Sequence, residues 1–282
     1  MHFLNINQLT SEQILDIFEL TDRLRLRKSE PLLADKTMIL FFPQTSLRTR
    51  VSFEKGISDL GGACITFPPE TLDKKEAPGD IVRYLENWGD GIIARIPDLC
   101  KLEELSSHAS VPVINAMTAH NHPCEIMADL YALRTLRDNY RELTYTFVGP
   151  PGNISRTWLE AAQALNLSFH HVCTPGHEMA SGSHPGYTFH TSLDSVLAES
   201  DVILTDSLPK DFLTPEYISA YQITLDRMKQ TRPGALLNPC PPFFRNEEVS
   251  EEVIASPYFA GFGFKKSLIY LQQATLIYCL SH

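Results

Sequence analysis

Five consecutive residues, Ser46-Leu47-Arg48-Thr49-Arg50, put two hydroxyls and two guanidiniums at what reads as the first turn of a helix. The leading N–H groups of a helix lack partners within it and carry the positive end of its dipole. Hydroxyl and forked arginine donors added there outline a cradle for a phosphate-like anion. Two further donors stand at the ends of later apolar runs: Arg95, and His122 in His122-Pro123-Cys124-Glu125. A carbonyl bonded to phosphate needs donors on its oxygen as a nucleophile attacks and donors on the departing phosphate, and arginine and histidine serve both purposes. Each short motif alone also fits a capped, solvated helix or a structural histidine. Their convergence from three strand ends is what points to a site.

Those strand ends follow from the apolar pattern. Thr37-Met38-Ile39-Leu40-Phe41-Phe42 suits a buried strand, Pro43-Gln44-Thr45-Ser46 a turn, and about Ser46 to Leu60 a helix stopped by Gly61-Gly62. A capped amphipathic helix precedes them, over Leu9 to Leu26. Strands at Gly91–Arg95 and Val111–Asn115 and a helix from about Pro123 to Arg137 complete one parallel α/β half. A second half opens with the strand Tyr145–Gly149, the turn Pro150-Pro151-Gly152-Asn153 and a helix near Arg156 to Leu165. Strands at Phe169–Val172, Val202–Thr205 and Ala235–Asn238 follow. The expected fold class is α/β, with two parallel-sheet domains. Helical potential over Lys265–Leu280 offers a carboxyl-terminal helix that could return to the first domain.

The 282 residues exceed what one core comfortably serves, so two domains are expected. No run approaches the roughly 18 apolar residues of a membrane span, and the amino terminus lacks a secretory signal, which places the chain in the cytoplasm. A net charge of −10 argues against nucleic acid and anionic membranes as partners. Six cysteines without CxxC spacing read as reduced thiols, neither a zinc site nor a disulfide framework.

With these residues in this order, the sequence resembles the aspartate/ornithine carbamoyltransferase family over nearly its whole length. Phe42–Gly62 is similar to the S-T-R-T-R segment, Arg95 to the next strand-end arginine, and His122–Asp129 to the H-P-x-Q helix start. Val148–Thr157 resembles the first strand-turn-helix of the acceptor domain, and Leu204-Thr205-Asp206 the T-D loop. Cys240-Pro241-Pro242-Phe243-Phe244-Arg245-Asn246-Glu247-Glu248-Val249 is similar to the ornithine branch's H-C-L-P-x-x-R-x-E-E-V from its cysteine onward. The resemblance implies transfer of a carbamoyl group from carbamoyl phosphate to an amine without metal or organic cofactor. It also implies a homotrimer, or a multiple of trimers, with sites between neighbours. Residues 1–138 would bind carbamoyl phosphate, 139–264 the amino-acid acceptor, and 265–282 would form the returning helix. Arg95, His122 and Cys240 are the expected catalytic residues, with Ser46, Leu47 (through its N–H), Arg48, Thr49, Glu125, Asn153, Asp206, Lys210 and Pro241 binding substrate. Arg50 would support the helix or a subunit contact, and Lys74-Lys75-Glu76 falls where the family has a mobile loop.

The chain departs from the family pattern at several points. Leu47 replaces a threonine, Glu125 replaces the usual glutamine, and Pro239 replaces a histidine before the cysteine. Ser207-Leu208-Pro209-Lys210 replaces the S-M-G loop, and Leu268 or a neighbour occupies the place of a carbonyl-binding arginine. These changes bear on the acceptor more than the donor. Ornithine or a relative is the expected acceptor, with aspartate or another amine, or a noncatalytic carbamoyl-phosphate-binding protein, as the alternatives. A dinucleotide-binding oxidoreductase would share the α/β halves, but Gly149-Pro150-Pro151-Gly152 lacks G-x-G-x-x-G spacing.

Overall fold

The computed structural model describes residues 1–26, 30–179 and 184–282, which form two units: Met1–Ala132 with Lys265–His282, and Leu133–Phe264. In the first unit α1 (Ser11–Leu26) begins at Thr10, whose hydroxyl accepts from the Gln13 N–H while Gln13 Oε1 accepts from the Thr10 N–H. This reciprocal cap fixes the start, and Ile14, Ile17, Phe18 and Thr21 bury the face it defines. Then follow β1 (Thr37–Phe41), α2 (Arg48–Asp59), β2 (Ala63–Phe67), α3 (Pro78–Leu85), β3 (Gly91–Arg95), α4 (Leu99–Ser107), β4 (Val113–Met117) and α5 (Pro123–Leu136). The sheet is parallel throughout, in the order β2-β1-β3-β4.

The second unit contains β5 (Thr144–Val148), α6 (Asn153–Leu165), β6 (Ser168–Val172), β7 (Tyr187–His190), β8 (Val202–Thr205), α7 (Pro215–Tyr221), α8 (Leu225–Met228), β9 (Leu236–Pro239) and α9 (Glu251–Ile254). Its parallel sheet runs β7-β6-β5-β8-β9. Finally α10 (Ser267–Ser281) packs on α1 and α2 in the first unit. Central strands such as β1 and β5 are buried almost throughout because helices cover both sheet faces. The edge strands β2 and β7 lie outside the expected pattern, and so do α3 and α4. β2 alternates between exposed and half-buried positions, so it carries no buried run to read. Helix α2 starts at Arg48 because Ser46 is held in the preceding turn, its N–H donating to the Pro43 carbonyl.

Two buried polar groups stand out. The Gln272 side chain on α10 is almost wholly buried and neither its oxygen nor its nitrogen has a hydrogen-bond partner. It lies beside Leu33, Phe53, Ile57 and Leu276, in a gap with no room for a water molecule. In the second unit Glu248 is 3% exposed. Its Oε1 accepts from the Phe244 N–H at 2.7 Å, and its Oε2 is buried without a partner. Burial pushes the carboxyl up to about 7, the Phe244 N–H opposes the shift, and the nearby Glu247 and Asp206 carboxylates add to it.

An amide buried without partners costs about 1–3 kcal/mol, so Gln272→Leu should raise the melting temperature by a few degrees. A fall in calorimetric Tm would show that the amide has a bonding role. For Glu248, a carboxyl raised from 4.5 to about 7 on folding makes the folded state bind more protons between those values. Its contribution is therefore full below the unfolded value and is lost as pH rises through the folded one. Glu248→Gln keeps an acceptor for Phe244 and removes the ionisation. In denaturant titrations its stability relative to the parent should be greater at pH 8 than at pH 5, and a gap that does not change with pH would contradict the assignment.

Candidate active site

The order β2-β1-β3-β4 sends the chain to one side after β1 and to the other for β3, so the loops leaving these two strands part and open a crevice at their carboxyl ends. Ligands of open α/β sheets collect at such switch points. Ser46–Thr49 follows β1 and Arg95 closes β3. The register between β3 and β4 slips between Ala94 and Arg95, an irregularity of the kind that re-aims a side chain at a strand end. Arg95 Nη1 donates to Ser46 Oγ at 3.3 Å and to Thr49 Oγ1 at 3.2 Å, with both hydroxyl residues buried.

The start of α2 suits an anion. Its cap residue Leu47 provides no side-chain bond to the leading N–H groups, and its first turn contains no acid. The Leu47 side chain points out, 69% exposed, so the substitution of leucine for threonine removes a hydroxyl without filling the crevice. Arg48 is exposed at the helix start. Arg50 turns away to Glu54, Nε to Oε1 at 2.8 Å, and Glu54 also accepts from Thr66, so Arg50 ties α2 to β2.

His122 and Glu125 lie at the start of α5, where Pro123 supplies a preset φ and no N–H that needs a partner. Both are buried. Burial pushes the His122 ring down, Glu125 pulls it up, and Arg95 and Lys265 push it down again, leaving it at about 4. The ring is therefore neutral at neutral pH and able to donate one N–H. For Glu125, burial favours the neutral acid, but Lys265, His122 and Arg48 outweigh it, and the carboxyl titrates below its ordinary range. Lys265 Nζ lies 2.9 Å from Glu125 Oε1 and 2.6 Å from Asp129 Oδ1. Lys265 and Asp129 were not among the expected site residues. Two acids four apart on one face of an apolar helix were the available signal that a cation must meet them. Leu268 is buried in the core of the first unit and contributes no polar group.

The second unit repeats the geometry with different chemistry. Its switch lies between β5 and β8. Asn153 opens α6 after β5, and Gly149 in the intervening turn has φ +147, where a side chain would be strained. Asp206 follows β8 and accepts from the Ser207 N–H at 2.9 Å. Cys240 follows β9, 6% exposed, its N–H donating to Thr205 at the end of β8. Asp206, Cys240 and Pro241 thus share one sheet end, and Lys210 stands exposed at the start of the short turn Lys210–Phe212. Among the described residues, no cluster of three or more His, Cys, Asp or Glu could hold a metal, and no helix is long and apolar enough to cross a membrane.

Residues 1–135 match the family model described as the carbamoyl-phosphate-binding domain of aspartate/ornithine carbamoyltransferases, and residues 141–279 match the Asp/Orn-binding domain. The chain is 30% identical to the ornithine carbamoyltransferase of Chromobacterium violaceum, covering 99% of this chain and 96% of that protein. It is 31% identical to that of Carboxydothermus hydrogenoformans, covering 97% and 96%. Among solved structures, the ornithine carbamoyltransferase of Burkholderia thailandensis superposes with a TM-score of 0.89 at 26% identity, covering 99% of this chain and 98% of that one. The Pyrococcus furiosus enzyme gives 0.89 at 26% identity, covering 98% and 95%. With both domain models matched in order and relatives of about 30% identity aligned over almost its full length, the chain belongs to the aspartate/ornithine carbamoyltransferase family.

Proposed function

We propose that this protein transfers the carbamoyl group of carbamoyl phosphate to the side-chain amine of ornithine or a close relative, releasing phosphate. The observation that carries the reading is the Arg95 guanidinium bonded to Ser46 and Thr49 at the β1/β3 switch, with His122 buried at the start of α5. Residues 1–138 serve the donor, 139–264 the acceptor, and 265–282 complete the donor domain. Arg48, Ser46, Thr49 and the Leu47 N–H hold the phosphate. Arg95 and His122 donate to the carbonyl oxygen, and a neutral imidazole can do so without titrating as charge builds there. The Glu125 carboxylate accepts from the carbamoyl NH2.

The uncharged acceptor nitrogen attacks the carbonyl carbon, a C–N bond forms, the C–O bond to phosphate breaks, and one proton leaves the nitrogen. Catalysis is orientation plus charge stabilisation. On the acceptor side Asp206 accepts from an ammonium, and Cys240, Asn153 and Pro241 shape the pocket. Asn153 and Cys240 offer no cation for the second carboxylate of aspartate, and the relatives described above are named for ornithine, which together favour the ornithine side. Lys210, exposed after β8, suits an additional anionic group on the acceptor. A homotrimer is proposed from the family resemblance, and the exposed apolar side chains of Leu47, Val51, Ile65, Phe67, Tyr84 and Trp88 on the first unit are available for contact with another copy.

Phosphate release and ureido product measured with ornithine, acylated ornithines, simple diamines and aspartate should put an ornithine-like amine first. Aspartate ahead by more than about tenfold, or about 1.4 kcal/mol in the transition state, would overturn the acceptor assignment. Binding of carbamoyl phosphate without transfer to any amine would indicate a noncatalytic protein. Arg48→Ala should weaken carbamoyl phosphate binding by about 1.5–3 kcal/mol, the worth of a charge-assisted bond. Unchanged affinity in a folded variant would remove Arg48 from the cradle.

A further inference from the structure

Lys265 is a charged group beside the donor site that neither the anion cradle nor the chemistry above employs. It lies in the short turn Phe262–Lys266 ahead of α10, and its ammonium is 2.9 Å from Glu125 Oε1 and 2.6 and 2.8 Å from the two Asp129 oxygens. Both carboxylates are buried, and the residues that meet are 136 apart in sequence for the Asp129 contact. We infer that Lys265 is a positioning residue for donor binding, which holds Glu125 as an acceptor-only carboxylate and cancels the charge that Glu125 would otherwise turn toward the phosphate. The inference rests on the donor site proposed above.

The groups facing Glu125 are Lys265 ahead of α10, His122 at the start of α5, Arg48 at the start of α2, and Asp129 one turn further along α5. With His122 neutral, three cations (Arg48, Arg95 and Lys265) stand against two carboxylates. An excess of positive charge remains for a phosphate anion. Replacing Lys265 by a neutral side chain leaves two guanidiniums against two buried acids four residues apart on one helix. Such a pair relieves itself by taking up a proton. A protonated Glu125 would keep its carbonyl oxygen as an acceptor for the NH2 group, as a glutamine does, but must first take up a proton. An ionised one would repel the phosphate. The ionised state gains weight as pH rises, and donor binding weakens with it. A glutamine side chain in place of Glu125 needs no cation, so the role of Lys265 is tied to the acid at this position and should disappear with it.

The test is carbamoyl phosphate binding, by calorimetry from pH 6 to 8.5, in the parent, Lys265→Gln, Glu125→Gln and the double variant. Lys265→Gln retains donors for both carboxylates without the charge, and Lys266→Gln, altering the exposed next residue, is the control for net charge. Lys265→Gln should weaken binding by about tenfold, a loss of about 1.4 kcal/mol. The loss should grow with pH, and heats measured in buffers of different ionisation enthalpy should reveal proton uptake absent from the parent. Glu125→Gln should bind at least as well as the parent, and adding Lys265→Gln to it should cost less than about threefold, since neighbouring charges couple. If Lys265→Gln costs the same whether introduced into the parent or into Glu125→Gln, Lys265 acts on the ligand itself and the inference is overturned. Unchanged, pH-independent affinity in Lys265→Gln would overturn it too. If Lys265→Gln does not fold, the folded Glu125→Gln/Lys265→Gln protein decides, because the inference requires it to bind within about threefold of Glu125→Gln. A parent that fails to bind carbamoyl phosphate overturns the donor reading as well as this one.

Discussion

The parting of the chain on either side of β1 and β3 is the constraint on which the donor half depends. A parallel strand must be reached by a crossover, and consecutive crossovers that go to opposite sides leave an unfilled notch at the carboxyl end of the sheet. Backbone order alone therefore creates the place where Arg95 meets Ser46 and Thr49. The side chains are secondary to it: the guanidinium that closes β3 meets two hydroxyls of the segment that follows β1. The same reversal occurs between β5 and β8 in the second unit, where Asn153 and Asp206 follow the two strands.

Much of this was legible in the residues, for a physical reason. Strands β1, β3, β4, β5, β8 and β9 are buried at nearly every position and so read as short, largely apolar runs. The residues that follow such runs are the ones a switch point displays. Of the four edge strands, β2 and β7 are covered less completely: β2 alternates with exposed positions and β7 is mostly half-buried. Neither announces itself. Helix starts were approximate because α2 lacks a side-chain cap, the signal from which boundaries are read, and that missing cap is part of what makes its end suitable for an anion.

The hidden part of the donor site was the charge balance around Glu125. An acid in place of an amide beside an anion looks like a defect when only its neighbours in sequence are considered. Its partner arrives from the far end of the chain. Local pattern carries information about which face a residue occupies, and it carries little about which distant side chain will meet it. Leu268 illustrates the same limit: it is simply core, while the cation that reaches the donor site stands just ahead of its helix, in Lys265.

The packing of α10 on α1 and α2 has a further consequence for how the protein comes into being. The second unit is one continuous stretch and can close as soon as it has been synthesised, whereas the first is interrupted by it and lacks α10 until the ribosome has translated through residue 281. Domains tend to fold in the order in which they emerge. Here the earliest residues must wait with α1 and α2 uncovered while a later segment folds ahead of them. A chain without residues 265–282 would keep the whole of the second unit and lose, with α10 and Lys265, both the cover of its amino-terminal core and the charge partner of Glu125. Removal of that segment should therefore yield an aggregation-prone, chaperone-dependent product, out of proportion to its length.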